Sequence, residues 1–258
     1  MDIHSLPQLA LIKERKPLIQ SITNPVTVND CANILLAVGA SPIMAHHIKE
    51  VAQVQSNAAG LLVNLGATDD YDSIYEAVIT ANSYKHPVVL DPVGVTISDY
   101  RRDFAANLIK KAHIDLIRCN YGEALAIAGV DITAEGLDSK ISVDSKESKD
   151  KFLHIISEFS KVNNLKFVVS GAVDFVIDGD TVCEISTGHP MMKLVTGMGC
   201  MYSEIVCAFL AVDNSYESAK NAVYFYGECG RIVGNEINGR GTMTFRNNFI
   251  DTIYIQSH

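Results

Sequence analysis

The sequence predicts an α/β fold with a mostly parallel central sheet and helices on both faces. Three observations carry this. Short apolar runs alternate with longer segments of helical period. The runs are β-branched or Leu-rich and lack strict in/out alternation, as suits strands buried on both faces. Glycines and polar residues collect where the runs end, and open α/β sheets bind ligands outside the carboxyl ends of their strands.

Taken in order, the strand candidates are residues 18–21, 60–64, 88–91, 115–118 and 167–170. Between them lie helix candidates at 28–38, 71–84, 101–111 and 149–163. After Ser170 the pattern changes. Residues 173–177 and 181–186 flank Asp178-Gly179-Asp180, a hairpin turn signal. The remainder reads as helix at 199–211, 215–233 and roughly 242–255. The most polar stretch, 133–151, reads as a surface excursion, and there is no internal repeat.

With 48% hydrophobic and 20% charged residues, the chain has apolar residues enough for one sizeable core. No linker-like break divides it, so residues 1–258 are expected to form one domain. The formal net charge of −9 repels nucleic acid and anionic lipid, so neither is an expected partner. A bound phosphate would have to be held locally, by backbone N–H groups or a metal ion. The first residues, MDIHSLPQLALIKERK, lack a basic start followed by an apolar stretch, so no signal peptide is expected there, and no apolar run reaches membrane-spanning length. Six cysteines without a C-x-x-C pair support neither a zinc site nor a disulfide framework. Free thiols in a reducing cytoplasm are expected.

Three segments offer chemistry, each with a structural alternative. Thr196-Gly197-Met198-Gly199-Cys200 precedes an apolar helix. Its glycines allow backbone N–H groups to converge, and the helix terminus adds positive potential suited to a transferring phosphoryl group. It is neither a P-loop nor a dinucleotide fingerprint, because no G-x-x-x-x-G-K-[ST] occurs and Tyr202 stands where a third glycine would. The alternative is a glycine-rich helix start with no ligand. Asn120 and Glu123 lie on one side of a helix's first turn, where they would hold water around Mg²⁺ or form a capping box. Asp91, closing an apolar strand before Pro92 and Gly94, would share that metal or cap the following turn. The segments around Asn24 and Met44 carry no catalytic meaning of their own, and a Met at a strand end is more often core than ligand contact.

Together and in this order, the segments PLIQSITNPVTVNDCANILLAVGASPIMAHHIKEV, VVLDPVGV, IRCNYGEA, VVSGAVDFVIDG, GHPMMKLVTGMGC and RGTMTF resemble hydroxyethylthiazole kinases of the ribokinase-like superfamily. They span Pro17 to Phe245 at consistent spacing. The resemblance implies a ribokinase-like fold and a homotrimer with interfacial active sites. It also implies transfer of phosphate from ATP to 4-methyl-5-(2-hydroxyethyl)thiazole, a thiamine salvage step. By the same resemblance, Met44, Asn24 and Gly197 contact the thiazole, while Arg118 and Ser170 bind ATP. Asp91, Glu123 and Asn120 organise hydrated Mg²⁺. Cys200 falls where most of the superfamily carries a general-base Asp.

This chain departs from the family pattern at Met198, where a Thr is usual, at Asn24-Pro25 and at His46-His47. Cys200, at a helix N-terminus, is expected to be more ionised than a free thiol. The competing readings are another ribokinase-like activity and a binder without chemistry. Phosphomethylpyrimidine kinase and nicotinamide-hydrate repair are the examples of the former, and the Asn24, Met44 and Cys200 segments argue against both.

Overall fold

In the computed structural model, residues 3–130, 145–237 and 239–258 are described. The strands are β1 (Leu18–Ile22), β2 (Ser41–Ile43), β3 (Gly60–Asn64), β4 (Val88–Asp91), β5 (Leu116–Asn120), β6 (Lys166–Ser170), β7 (Asp174–Asp178) and β8 (Thr181–Ile185). They form one sheet in the order β2-β1-β3-β4-β5-β6-β7-β8. Every pair from β2 to β6 is parallel, and β6, β7 and β8 pair antiparallel. The helices are α1 (Pro7–Arg15), α2 (Val28–Val38), α3 (Val51–Gln55), α4 (Tyr71–Tyr84), α5 (Asp99–Lys111), α6 (Tyr121–Ile127), α7 (Lys146–Asn163), α8 (Met198–Val212), α9 (Tyr216–Glu236) and α10 (Thr242–Ser257). No helix of the described residues is long and apolar enough to cross a membrane.

Alternate residues of the strands feed two cores. Ile19, Leu62, Val89, Leu116 and Val168 face α1, α2, α8, α9 and α10. Leu61, Val63, Val88, Leu90, Ile117 and Val169 face the layer of α3 to α7. Both sets are apolar because both faces are covered, which is why the strands show no in/out alternation in sequence. In α8 every residue except Gly199 and Ala211 is buried. A helix apolar on all sides belongs inside, and α8 lies at the centre of its layer.

The strands at 60–64 and 88–91 and the helices at 28–38 and 71–84 match expectation residue for residue. The hairpin turns where Asp-Gly-Asp predicts, with Gly179 at φ 57°. Among the described residues, three α-helices and one strand went unforeseen. The Pro at N1 of α1 was a usable start signal. The helices α3 and α6 are too short to show a period. The edge strand β2 has only three residues and contains Pro42. The polar stretch 133–151 is corrected at its end, since Ser145 caps α7 and residues 146–151 are helical; residues 133–144 lie outside the described residues.

One feature of α9 positions the loop that leads into α8. Gly227, Gly230 and Gly234 present a face without side chains, and Thr187, Met192 and His189 lie against it. A Cβ at Gly234 would fall inside the His189 ring contact, 2.1 Å from Cγ. Gly234→Ala gains up to about 1 kcal/mol in helix propensity. Overpacking costs about 1–3 kcal/mol and wins. The expected outcome is a lower melting temperature for Gly234→Ala in thermal denaturation; an increase would show that the loop moves aside freely.

Candidate functional site

Five strands deliver polar side chains to the same end of the sheet. Asn24 follows β1, Asn64 ends β3, Asp91 ends β4, Arg118 and Asn120 lie at the end of β5, and Ser170 ends β6. The head of α8 closes this end from one side. Gly197 turns the chain into α8 at φ 90°, a left-handed conformation that suits glycine. A Cβ there would also lie 2.9 Å from Thr27 Cγ2.

Cys200 sits in the first turn of α8, in a cluster of amides. Asn24 Nδ2 donates to its Sγ at 3.4 Å, and Asn64 Nδ2 does so at 3.4 Å. Asn64 Nδ2 also donates to Asp91 Oδ2 at 3.1 Å. Ser203 Oγ, one residue short of a full turn past Cys200, donates to the same oxygen at 2.8 Å. Thus Asn24, Cys200 and Asp91 are brought together through Asn64. The sequence reading missed Asn64 and Ser203. Asn64 carries the signal that marked Asp91, a polar residue closing an apolar strand.

Arg118 and Ser170 form a second group. Arg118 Nη2 donates to Ser170 Oγ at 2.7 Å, and Ser170 Oγ donates to the Cys119 carbonyl at 3.3 Å. Gly199 admits this arginine, since a Cβ there would lie 2.8 Å from Nη1. Met198 is buried in the core, and its carbonyl accepts from Tyr226 Oη at 2.5 Å. The turn therefore offers backbone, not a Met198 side chain, to the open end of the sheet. The Pro25 donor is not missed either, because Asn24 Oδ1 accepts from Val26 N and the Asn24 carbonyl from Thr27 N.

Asn120 and Glu123 form the full capping box of α6. Glu123 N donates to Asn120 Oδ1 at 2.9 Å and Asn120 N to Glu123 Oε2 at 3.0 Å. Gly94 N donates to Glu123 Oε1 at 3.3 Å. The capping alternative is therefore present, and it ties Glu123 to the loop after Asp91. Met44 stands apart: it follows the edge strand β2, half-buried, and its carbonyl contacts the His46 ring.

Burial pushes the Asp91 carboxyl up to about 7; the Glu123 charge adds to this, while Arg118, Ser203 and Asn64 oppose it. The Cys200 thiol is also raised, chiefly by burial and then by Asp91. This runs against the expectation of a more ionised thiol, because burial disfavours the charged form. Among the described residues no group of three or more His, Cys, Asp and Glu side chains is placed to hold a metal ion. The buried Asp91 Oδ1, however, has no hydrogen-bond partner. A free carboxylate oxygen beside a second carboxylate fits a cation that keeps most of its waters.

A small-molecule kinase of the ribokinase-like fold is the class that this arrangement defines. The family model described as Hydroxyethylthiazole kinase family matches residues 9–258, and the chain belongs to that family. A hydroxyethylthiazole kinase of Clostridium acetobutylicum is 37% identical over 254 residues, covering 96% of this chain and 93% of the relative. One from Thermoanaerobacter sp. (strain X514) is 35% identical over 249 residues, covering 95% and 92%. The solved structure of the hydroxyethylthiazole kinase protein from Pyrococcus horikoshii OT3 superposes with a TM-score of 0.84 at 29% identity, covering 96% of this chain and 92% of that one.

The Asp91 shift has a consequence for stability. Its folded value, about 7, lies above its ordinary 3.8. A raised carboxyl favours the folded state most where it is protonated, so this contribution fades as pH rises from about 4 through 7. Asp91→Asn removes the penalty of the buried charge. The ligand-free variant is expected to melt roughly 2–8 °C above the parent at pH 8, with the difference closing toward pH 4. Equal melting at pH 8 would show that Asp91 is not held against its charge.

Proposed function

We propose that this member of the family transfers the γ-phosphoryl group of ATP to the primary hydroxyl of 4-methyl-5-(2-hydroxyethyl)thiazole, giving the thiazole phosphate of thiamine salvage. The family match over residues 9–258 is the observation that carries the reaction. The convergence of Asn24, Cys200 and Asp91 through Asn64 supports the site.

In this reading Met44, Asn24 and Gly197 bound the thiazole, and Cys200 faces its hydroxyl. Arg118 and Ser170 bind the phosphates of ATP. Asp91 and Glu123 would hold hydrated Mg²⁺, with Asn120 fixing Glu123. The ion supplies charge neutralisation on the phosphates. The chain's own part is placement: phosphoryl transfer has a loose transition state and gains most from positioning and electrostatics. Two amides hold the Cys200 sulfur at a set point at the head of α8.

The reading extends to a cytoplasmic homotrimer with the site at subunit boundaries. Val26 and Ile48 are exposed apolar residues close in sequence to Asn24 and Met44, and a neighbouring subunit would cover them. Sedimentation at micromolar concentration is expected to give a trimer; a monomer would remove the interfacial site.

The activity is tested by coupled ADP release with ATP, Mg²⁺ and the thiazole alcohol, omitting the alcohol as control. Alcohol-dependent release, abolished by EDTA, is expected; its absence despite thiazole binding would mean a binder without chemistry. In the same assay Cys200→Asp is expected to keep or raise turnover. Cys200→Ala should lower it roughly 10- to 100-fold, at or below the low end of acid–base contributions. A large loss in Cys200→Asp would exclude a proton-accepting role at this position.

A further inference from the structure

Arg118 is buried, yet side-chain hydrogen bonding fixes it at one corner. Nη2 donates to Ser170 Oγ at 2.7 Å, while the buried Nε has no partner. One such contact leaves a planar guanidinium free to pivot. An aromatic ring supplies a second contact: the guanidinium carbon lies over Tyr202, 4.7 Å from the ring centroid.

Tyr202 is itself immobilised. Its ring stacks on Tyr226 at 4.3 Å with 6° between the planes. Its hydroxyl donates to Asp174 Oδ2 at 2.9 Å, and Asp174 Oδ1 accepts from Gly171 N at 2.9 Å. Tyr226 meets Phe249 edge-on at 4.8 Å and donates to the Met198 carbonyl. The ring against Arg118 is thereby tied to α9, to α10 and to the turn between β6 and β7. The same chain of contacts pins the first turn of α8.

We propose that Tyr202 is a positioning residue for nucleotide binding: its ring face holds the Arg118 guanidinium in place, so that the arginine meets the phosphates already oriented. This rests on the reading of Arg118 as a phosphate ligand. A cation over a desolvated aromatic face is attracted by the ring's quadrupole, and a planar guanidinium stacks where an ammonium does not. Asp91 and Glu123 also draw the arginine electrostatically. They act on its charge, whereas the ring acts on its plane.

The test replaces Tyr202 by Phe and then by mono-, di- and trifluorinated phenylalanines. Fluorine leaves the ring's shape nearly unchanged and weakens its negative face. The measurements are KM for ATP, kcat, KM for the thiazole alcohol, and the calorimetric Kd for ADP. Within the series, KM for ATP and Kd for ADP are expected to rise stepwise by about tenfold overall. The other two constants should move by less than about twofold, a split that loosened packing would not give. Nucleotide constants flat across the series overturn the proposal. Arg118→Gln, which removes the cation, keeps the two readings apart in the same assays. If it weakens ATP binding while the fluorinated series is flat, Arg118 stands and Tyr202 falls. If it leaves ATP binding unchanged, the phosphate role of Arg118 falls, and the proposal with it. In the Arg118→Gln background, with no cation over the ring, the fluorinated series should lose its slope; a retained slope also overturns the proposal.

Discussion

The carboxylate of Asp91 joins the sheet to its central helix. Asn64 from β3 and Ser203 from α8 donate to one oxygen, the other has no hydrogen bond, and the charges of Arg118 and Glu123 act on the group. Everything else at this end of the sheet is placed relative to that contact. Asn64 reaches on to Cys200, which sets the depth of the first turn of α8 against β3 and β4. Glu123 caps α6 while its other oxygen accepts from Gly94, so the loop after β4 is fixed to the helix after β5. A group that is costly to bury has been given enough partners to stay, but not enough to stay charged without strain on its titration.

Around it, α8 carries a second buried acid. Glu204 accepts from Ser21 Oγ at 2.6 Å, and burial pushes it up to about 8. Two carboxyl groups with raised values thus lie on or against one helix, each opposed in its charged form by the apolar packing around it. In a chain whose net charge is −9, the buried Arg118 and the head of α8 place a cation and a helix N-terminus at the same end of the sheet.

Much of this was legible in sequence where the signal was local and repeated. Val88–Asp91 ends an apolar run on a carboxylate, and Val28–Val38 shows a full helical face. The failures have physical causes. Asn64 went unread because an Asn closing a strand has many structural uses and only tertiary contact with Cys200 gives it a chemical one. Met198 stood out as the residue in place of a hydroxyl, but sequence does not show which way a first-turn side chain points, and this one points into the core. The Cys200 thiol was expected to ionise more readily at a helix terminus. The burial that reversed this comes from the apolar packing of α8, visible in its composition but not in its consequence.

That reversal bears on how the proposed reaction would use sulfur. A thiol held protonated by burial and by Asp91 is a poor base toward a free alcohol. It need not be a good one. In a loose transition state the attacking oxygen keeps its proton until bonding to phosphorus is advanced, and its acidity rises as that bond forms. The proton that is then leaving passes to the thiolate fraction of Cys200 or to an oxygen of the transferring phosphoryl group, since a protonated thiol has no place for it. What matters before that moment is that the acceptor stands still, and two amides from separate strands hold the Cys200 sulfur. On this argument the site's rate is set more by the placement of Asn24 and Asn64 than by the basicity of the residue they hold.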